Sequence, residues 1–258
     1  EKVQDVKALI PIFEGTTGEY DVEELLLENN ASVTKFVFKN ETIDQLEKSI
    51  DDLAEEIKKT NILILPSGMT YGDEPDGAGI YVSNVLKQDS IKEAIMDLVE
   101  ERDGLILGIG DGFQALVRTG LIPFGSYIEF QEEMPAFAKN PSGRYSSTIV
   151  ETIYKTNNSP WLKYVETDKE YLAPISTYFG QLILPGQLYE ELRNNEQILS
   201  VYSNDTLESD YSIEGLMDQS GRILGKMTNF ERIKEGTLIN IPKTDLQEII
   251  KSGVEYFR

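Results

Sequence analysis

The first half of the sequence alternates short apolar runs with segments in which apolar residues recur at helical spacing. The runs at 6–13, 32–38, 61–65 and 104–108 predict strands, and the patterns at 21–29, 43–59, 90–102 and 112–119 predict helices, with a further helical pattern ending near residue 87. Strands that alternate with helices in this order pair in parallel through crossover helices. This half therefore predicts an α/β fold with an open, mostly parallel sheet flanked by helices.

The second half has a different pattern. From residue 145 onward, strands of mixed period are predicted at 148–154 and 171–175, and a hairpin at 212–217 and 222–227 turns at Gln219-Ser220-Gly221. These segments predict an antiparallel extension of the sheet, and the amphipathic segment 245–256 predicts a final helix. Because we find no repeat, low-complexity stretch or linker, we predict one domain spanning residues 1–258.

Composition excludes several classes of function. Lys and Arg total 24 against 45 Asp and Glu, a formal net charge of -21, so nucleic acids and anionic membranes would repel the chain. No apolar run approaches the roughly 20 residues that span a bilayer, and the first residues lack the pattern of a signal peptide. We therefore expect a cytoplasmic protein with neither a nucleic acid nor a membrane as partner.

The chain contains no cysteine and no histidine. Their absence removes disulfides, thiolate nucleophiles, the commonest zinc ligands and the usual general base near neutral pH. We expect no metal site and no cofactor.

The segment with the most chemical information is Gly104-Leu105-Ile106-Leu107-Gly108-Ile109-Gly110-Asp111-Gly112-Phe113-Gln114. It joins a buried strand to a helix through alternating glycines, which is the pattern of a nucleophile elbow. The tip of this elbow, Gly110, carries no side chain. The simpler alternative is a tight turn in which glycine supplies a positive φ.

The wider sequence resembles the class I glutamine amidotransferase domain at the C-terminal end of phosphoribosylformylglycinamidine synthase, a purine-pathway ligase. The resemblance spans nearly the whole chain. It rests on Ile10-Pro11-Ile12-Phe13-Glu14-Gly15-Thr16, Leu65-Pro66-Ser67-Gly68, Gly72-Asp73-Glu74-Pro75-Asp76-Gly77, the elbow segment, Asn158-Ser159-Pro160-Trp161, Gly221-Arg222-Ile223-Leu224-Gly225-Lys226-Met227 and Glu231-Arg232. It implies a flavodoxin-like sheet. Together with a first residue that is not Met, it also implies that the chain is the C-terminal part of a longer synthase polypeptide.

Members of that family hydrolyse glutamine with a Cys, His and Glu triad and supply ammonia to an ATP-dependent synthase. By the resemblance, the nucleophile position falls on Gly110, the histidine position on Asn229 and the acid on Glu231, while Thr177 stands where a second histidine is expected. Glycine offers no nucleophilic atom, and an asparagine is not a useful base near pH 7. The resemblance therefore predicts a degenerate site with no glutaminase activity.

Other parts of the family site remain. The resemblance places the backbone amides of Gly68 and Asp111 at the oxyanion-hole positions and gives Gln114 a contact with glutamine. The alternative for Gln114 is a polar residue that caps or supports the elbow helix. For Glu231 the alternative is a structural hydrogen-bond acceptor or a solvated carboxylate, and for the loop at 72–77 it is an acidic turn.

Three functions remain open from sequence. The first is an architectural domain that docks on a synthase domain of the same or a partner chain. The second is a sensor that binds glutamine or a small anion in the remnant pocket. The third is an enzyme in which Asp111 and Glu231 form a carboxylate pair for acid–base work or Mg²⁺ binding. An interface with a synthase would appear as exposed apolar side chains around the 72–77 loop or in the C-terminal half.

Overall fold

A nine-stranded sheet forms the centre of the fold. The computed structural model describes residues 3–70, 77, 79–241 and 245–258. The strands of this sheet are β1 (Lys7–Ile12), β2 (Ser32–Val37), β3 (Ile62–Leu65), β4 (Leu105–Ile109), β6 (Ser146–Tyr154), β7 (Glu170–Thr177), β9 (Ile198–Tyr202), β10 (Ile213–Met217) and β11 (Ile223–Lys226). They lie in the order β2-β1-β3-β4-β11-β10-β9-β6-β7. A separate two-stranded sheet pairs β5 (Ala136–Ala138) with β8 (Gln181–Ile183).

The predicted fold class is confirmed. Strands β2, β1, β3, β4 and β11 are mutually parallel, and β10, β9, β6 and β7 extend the sheet through antiparallel pairs. The predicted hairpin forms between β10 and β11, with Gly215 opposite Lys226. Because β11 also pairs in parallel with β4, this hairpin joins the two halves of the chain in one sheet.

The helices are α1 (Glu19–Glu28), α2 (Ile43–Ile57), α3 (Ile80–Leu86), α4 (Asp89–Met96), α5 (Asp111–Thr119), α6 (Leu121–Phe124), α7 (Gly186–Asn194) and α8 (Ile249–Tyr256). The helix predicted at 90–102 corresponds to α4 followed by a π-helical turn, Asp97–Glu101. At the start of α2, the hydroxyl of Thr42 accepts a hydrogen bond from the Gln45 N–H at 3.2 Å, a cap worth about 1 kcal/mol. The structure describes no helix long and apolar enough to cross a membrane.

Two hydrophobic layers cover the faces of the parallel strands. Leu9, Leu63 and Ile106 face the layer formed with α2 to α5. Their neighbours along the same strands face the opposite layer, which contains α1, α8 and the buried Trp161. This two-sided burial explains why these strands are continuous apolar runs, and it leaves the strand ends as the places for polar chemistry.

Three features differ from the sequence prediction or fall outside it. The last helix was predicted from 245 but begins at Ile249. The segment predicted as its first turn is not helical. There the Gln247 side chain contacts strand β6, since its Oε1 accepts a hydrogen bond from the Tyr154 hydroxyl at 2.5 Å. Helix α7 and strand β9 were not predicted. The glycine-rich loop predicted at 72–77 lies outside the described residues except for Gly77.

Candidate active site

The predicted site residues meet at the carboxyl edge of the parallel strands. A pocket of about 530 Å³ opens there, beyond the ends of β3, β4 and β11, where an open parallel sheet usually binds its ligands. Five predicted residues line it: Gly68, Gly110, Asp111, Gln114 and Asn229. The sixth, Glu231, is fully buried and hydrogen-bonded to Asn229.

The turn between β4 and α5 has the backbone of a strained elbow. Gly110 lies at φ 54° and ψ -111°, and its N–H donates to the Lys226 carbonyl at 2.7 Å. A Cβ added at Gly110 would have Ser67 Cβ as its nearest neighbour, at 3.4 Å, which is an ordinary van der Waals contact. The elbow therefore has room for a Cβ at its tip, at the cost of a strained φ, but lacks a reactive atom there.

Close backbone packing against β3 and the loop after it fixes the position of the elbow. A Cβ at Gly112 would lie 2.1 Å from the Leu65 carbonyl oxygen, so only glycine lets α5 approach β3 this closely. Gly68 is equally constrained, since a Cβ there would lie 2.5 Å from the Gly15 carbonyl oxygen. The Met69 N–H donates to that same carbonyl at 3.0 Å, which fixes the loop after β3 beside the elbow.

Asn229 and Glu231 lie in the turn that follows β11. The Asn229 N–H donates to the Pro174 carbonyl at 2.8 Å, and its Nδ2 donates to Glu231 Oε1 at 3.0 Å. Glu231 Oε2 is buried and has no hydrogen-bond partner among the described residues. Burial raises the pKa of the Glu231 carboxyl to about 7, against a smaller opposing effect of the Asn229 hydrogen bond.

The raised pKa of Glu231 leads to a prediction for E231Q. The folded chain holds this proton more tightly than the unfolded chain, whose ordinary pKa is 4.5, so wild-type stability falls as the pH rises from 4.5 to about 7. Because one pKa unit is worth about 1.4 kcal/mol, the charged carboxylate costs roughly 3 kcal/mol above pH 7. We expect urea unfolding to show E231Q more stable than wild type by about 2–3 kcal/mol at pH 8 and nearly equal to it at pH 5. An equal difference at both pH values would contradict the assignment.

Ser67 and Arg232 were not singled out as site residues from sequence. Ser67 Oγ donates to Glu231 Oε1 at 3.4 Å and accepts from Arg232 Nη2 at 3.4 Å, both near the limit for a hydrogen bond. Ser67 follows the carboxyl end of β3, the same sheet edge as the elbow, and this position was the signal that could have identified it. These contacts place a hydroxyl and a guanidinium group beside Glu231, the residue that the resemblance places at the acid position.

A buried ion pair supports the strand that leads to this turn. Lys226 Nζ donates to Glu214 Oε2 at 2.6 Å, and both side chains are fully buried. Glu214 also accepts from the Ser200 hydroxyl, and its Oε1 accepts from the Thr228 N–H at 2.9 Å. Burial opposes the charge of Glu214, but Lys226 and these hydrogen bonds hold the pKa of the carboxyl below its ordinary value. The network fixes Thr228, the residue directly before Asn229.

Comparisons with known proteins agree with this geometry. A family described as the CobB/CobQ-like glutamine amidotransferase domain matches residues 5–258. The chain belongs to this family. The sequence is 28% identical over 216 residues to the phosphoribosylformylglycinamidine synthase subunit PurQ of Thermotoga maritima, covering 84% of this chain and 88% of the relative. It is 28% identical over 182 residues to the subunit of the same name in Wolinella succinogenes, covering 70% of this chain and 76% of the relative.

Two solved structures share the fold. A chain of PurLQS from Thermotoga maritima has a TM-score of 0.71 at 22% sequence identity, with 99% of this chain and 100% of that chain covered. The glutaminase domain of Trypanosoma brucei CTPS has a TM-score of 0.54 at 12% identity, with 97% and 92% covered. The suspected resemblance to a glutamine amidotransferase domain is thus confirmed at the level of family and fold.

Within this amidotransferase fold, Gln114 and Asp111 make contacts inside the protein. Gln114 is buried, and its Nε2 donates to the Phe179 carbonyl at 2.6 Å, which ties α5 to the pocket wall. This contact supports the buttressing alternative for Gln114. The Asp111 carboxylate accepts from the Thr70 hydroxyl. The assignment of the Gly68 and Asp111 amides to an oxyanion hole stays a prediction.

Asp111 and Glu231 were also predicted as an alternative carboxylate pair. In the structure they have different partners, Thr70 for Asp111 and Asn229 for Glu231. Among the described residues, no group of three or more acidic side chains gathers where a metal ion could be held. A pair formed by these two carboxylates, for acid–base work or Mg²⁺ binding, stays a prediction.

Proposed function

We propose that this chain is a single glutaminase-like domain without glutaminase activity, which docks on a phosphoribosylformylglycinamidine synthase and helps to hold its fold. The synthase is part of the same polypeptide or a partner chain, and its ammonia comes from another source. The domain acts in the cytoplasm and uses no metal or cofactor of its own. Both its family membership and its relatives named as PurQ subunits support this partner.

The observation that carries the proposal is the empty tip of the elbow. Gly110 adopts the elbow backbone but presents no atom that could attack a carboxamide. The base position is also neutral: Asn229 donates its amide hydrogen to Glu231, and it cannot take up a proton near pH 7. Without nucleophile and base, only binding and oxyanion effects would remain, so turnover would fall by several orders of magnitude.

The direct test compares two nitrogen sources for the synthase assembled with this chain. We expect amidation with ammonium chloride and none above background with glutamine. A variant synthase complex that contains an intact glutaminase domain from a relative is the matched control, since it should use both sources. Equal turnover of the native complex with glutamine would overturn the proposal.

A second candidate, a sensor of glutamine or a small anion, is favoured by the open pocket beside the N-terminus of α5. Isothermal calorimetry of the wild-type chain with glutamine separates it from the scaffold role. We expect no sustained heat and at most weak binding, since the buried Gln114 amide already donates to Phe179. Saturable heat without turnover would favour the sensor, and sustained heat would show hydrolysis.

A further inference from the structure

A second concave surface lies away from the candidate active site. It is a groove of about 330 Å³ between the segment after α6 and the start of α7. Its apolar lining consists of Phe124, Ile128, Met134, Pro185 and Leu188. None of the predicted site residues lines it. We call it the α6–α7 groove.

Exposed apolar side chains continue the α6–α7 groove at its edges. Phe130, one residue before the lining residue Gln131, is 83% exposed. Ile183, at the end of β8 and two residues before Pro185, is 41% exposed. Single exposed apolar residues are normal, but several around one apolar groove are typical of a protein interface.

The charged residues that line the α6–α7 groove are all acidic. Glu133 and Glu191 line it, and no lysine or arginine is among its described lining residues. The adjoining segment 125–135 also carries Glu129 and Glu132 and has no basic residue. A partner segment that placed carboxylates against this rim would be repelled, whereas lysine or arginine side chains would complement it.

We infer that the α6–α7 groove is the surface on which the synthase docks, by means of a segment that inserts apolar side chains between α6 and α7 and places basic side chains against Glu133 and Glu191. This inference rests on the proposed docking function and adds its location. Most of the lining residues, from Gln131 onward, lie in the C-terminal half, where the sequence predicted that an interface would expose apolar side chains.

The test measures binding of the full chain to the synthase of the same organism, prepared without its own glutaminase-like part. We expect F130D to weaken binding roughly tenfold or more, because it replaces a large exposed aromatic side chain with a charge at the proposed contact. The double variant E133K/E191K should also weaken binding, because it reverses the charge of the rim. The loss of affinity should be larger at low salt than at high salt. The matched control is I239D, since Ile239 is also 83% exposed and lies outside the groove.

Each outcome has a distinct meaning. Weakened binding by F130D and E133K/E191K, with I239D and the thermal unfolding of all variants unchanged, supports the inference. If wild type, F130D and I239D bind equally, the groove is wrong and the docking role survives. If the wild-type chain does not bind the synthase, both the proposed function and this inference are wrong. If the wild-type chain self-associates and F130D is a monomer, the groove binds a second copy of the chain. That result would overturn the synthase assignment.

Discussion

The double variant G110C/N229H is expected to hydrolyse glutamine, whereas G110C alone is expected to do so at least about a hundredfold more slowly, because a positioned general base contributes roughly 10²–10⁴-fold. A Cβ fits at Gly110, since its nearest neighbour would lie at 3.4 Å, although the φ of 54° strains any side chain there. The orientation of the imidazole is also prepared. Asn229 already donates to Glu231 Oε1 at 3.0 Å, the contact that would orient a histidine ring at this position.

Two measurements check this expectation independently. Ammonia release from glutamine reports catalysis, and the rate of alkylation by iodoacetamide at pH 7 reports the introduced thiol itself. A protonated imidazole lowers a thiol pKa, so G110C/N229H should be alkylated faster than G110C even if glutamine binds weakly. N229H alone should release no ammonia. Equal alkylation of the single and double variants would mean that an imidazole at position 229 does not reach a thiol at position 110, although both positions line the same pocket.

The second large effect is expected from K226M, which should lower the free energy of unfolding by about 3–5 kcal/mol. The substitution leaves the Glu214 carboxylate fully buried without the ammonium group that lies 2.6 Å from it. Guanidinium chloride unfolding at pH 7 measures the loss. The double variant E214Q/K226M should recover part of it, because it removes both charges together.

A surface pair provides the control for K226M. Lys48 and Asp52 also form an ion pair, but both side chains are largely exposed. The variant K48M should leave the unfolding midpoint unchanged within error, because water and salt screen exposed pairs. Comparable losses in K226M and K48M would contradict the assignment of a structural role to the buried pair.

Local pattern was enough to predict the part of the site that one segment encodes. The apolar run of β4, the glycines and the helix that follows lie within residues 104–119, so the elbow and its empty tip could be derived from sequence. Strands β1, β3 and β4 followed from the same kind of pattern, because each is buried on both faces. The resemblance to a family then placed Asn229 and Glu231, which no local pattern would have joined to the elbow.

Contacts between distant segments could not be predicted in this way. Ser67 contacts Glu231 although 164 residues separate them in sequence, and no local motif around either residue indicates the contact. Lys226 is a charged residue at the end of a strand, a pattern that predicts an exposed side chain. It is fully buried because Glu214 lies across the hairpin. The C-terminal helix starts late for a similar reason, since Gln247 is held by Tyr154 from another strand. In each case a tertiary partner overrides the local preference.

The buried pair beneath Thr228 also affects how such a domain changes over evolutionary time. Selection for folding alone would preserve Glu214 and Lys226, and through the Thr228 amide it would preserve the backbone that positions Asn229. The close packing that requires glycine at position 112 would preserve the backbone of the elbow in the same way, since selection for folding would retain it. A lineage could therefore lose the reaction while its descendants keep the catalytic backbone as a by-product of folding. In such domains, the reacting atoms are a better guide to present activity than the shape that surrounds them.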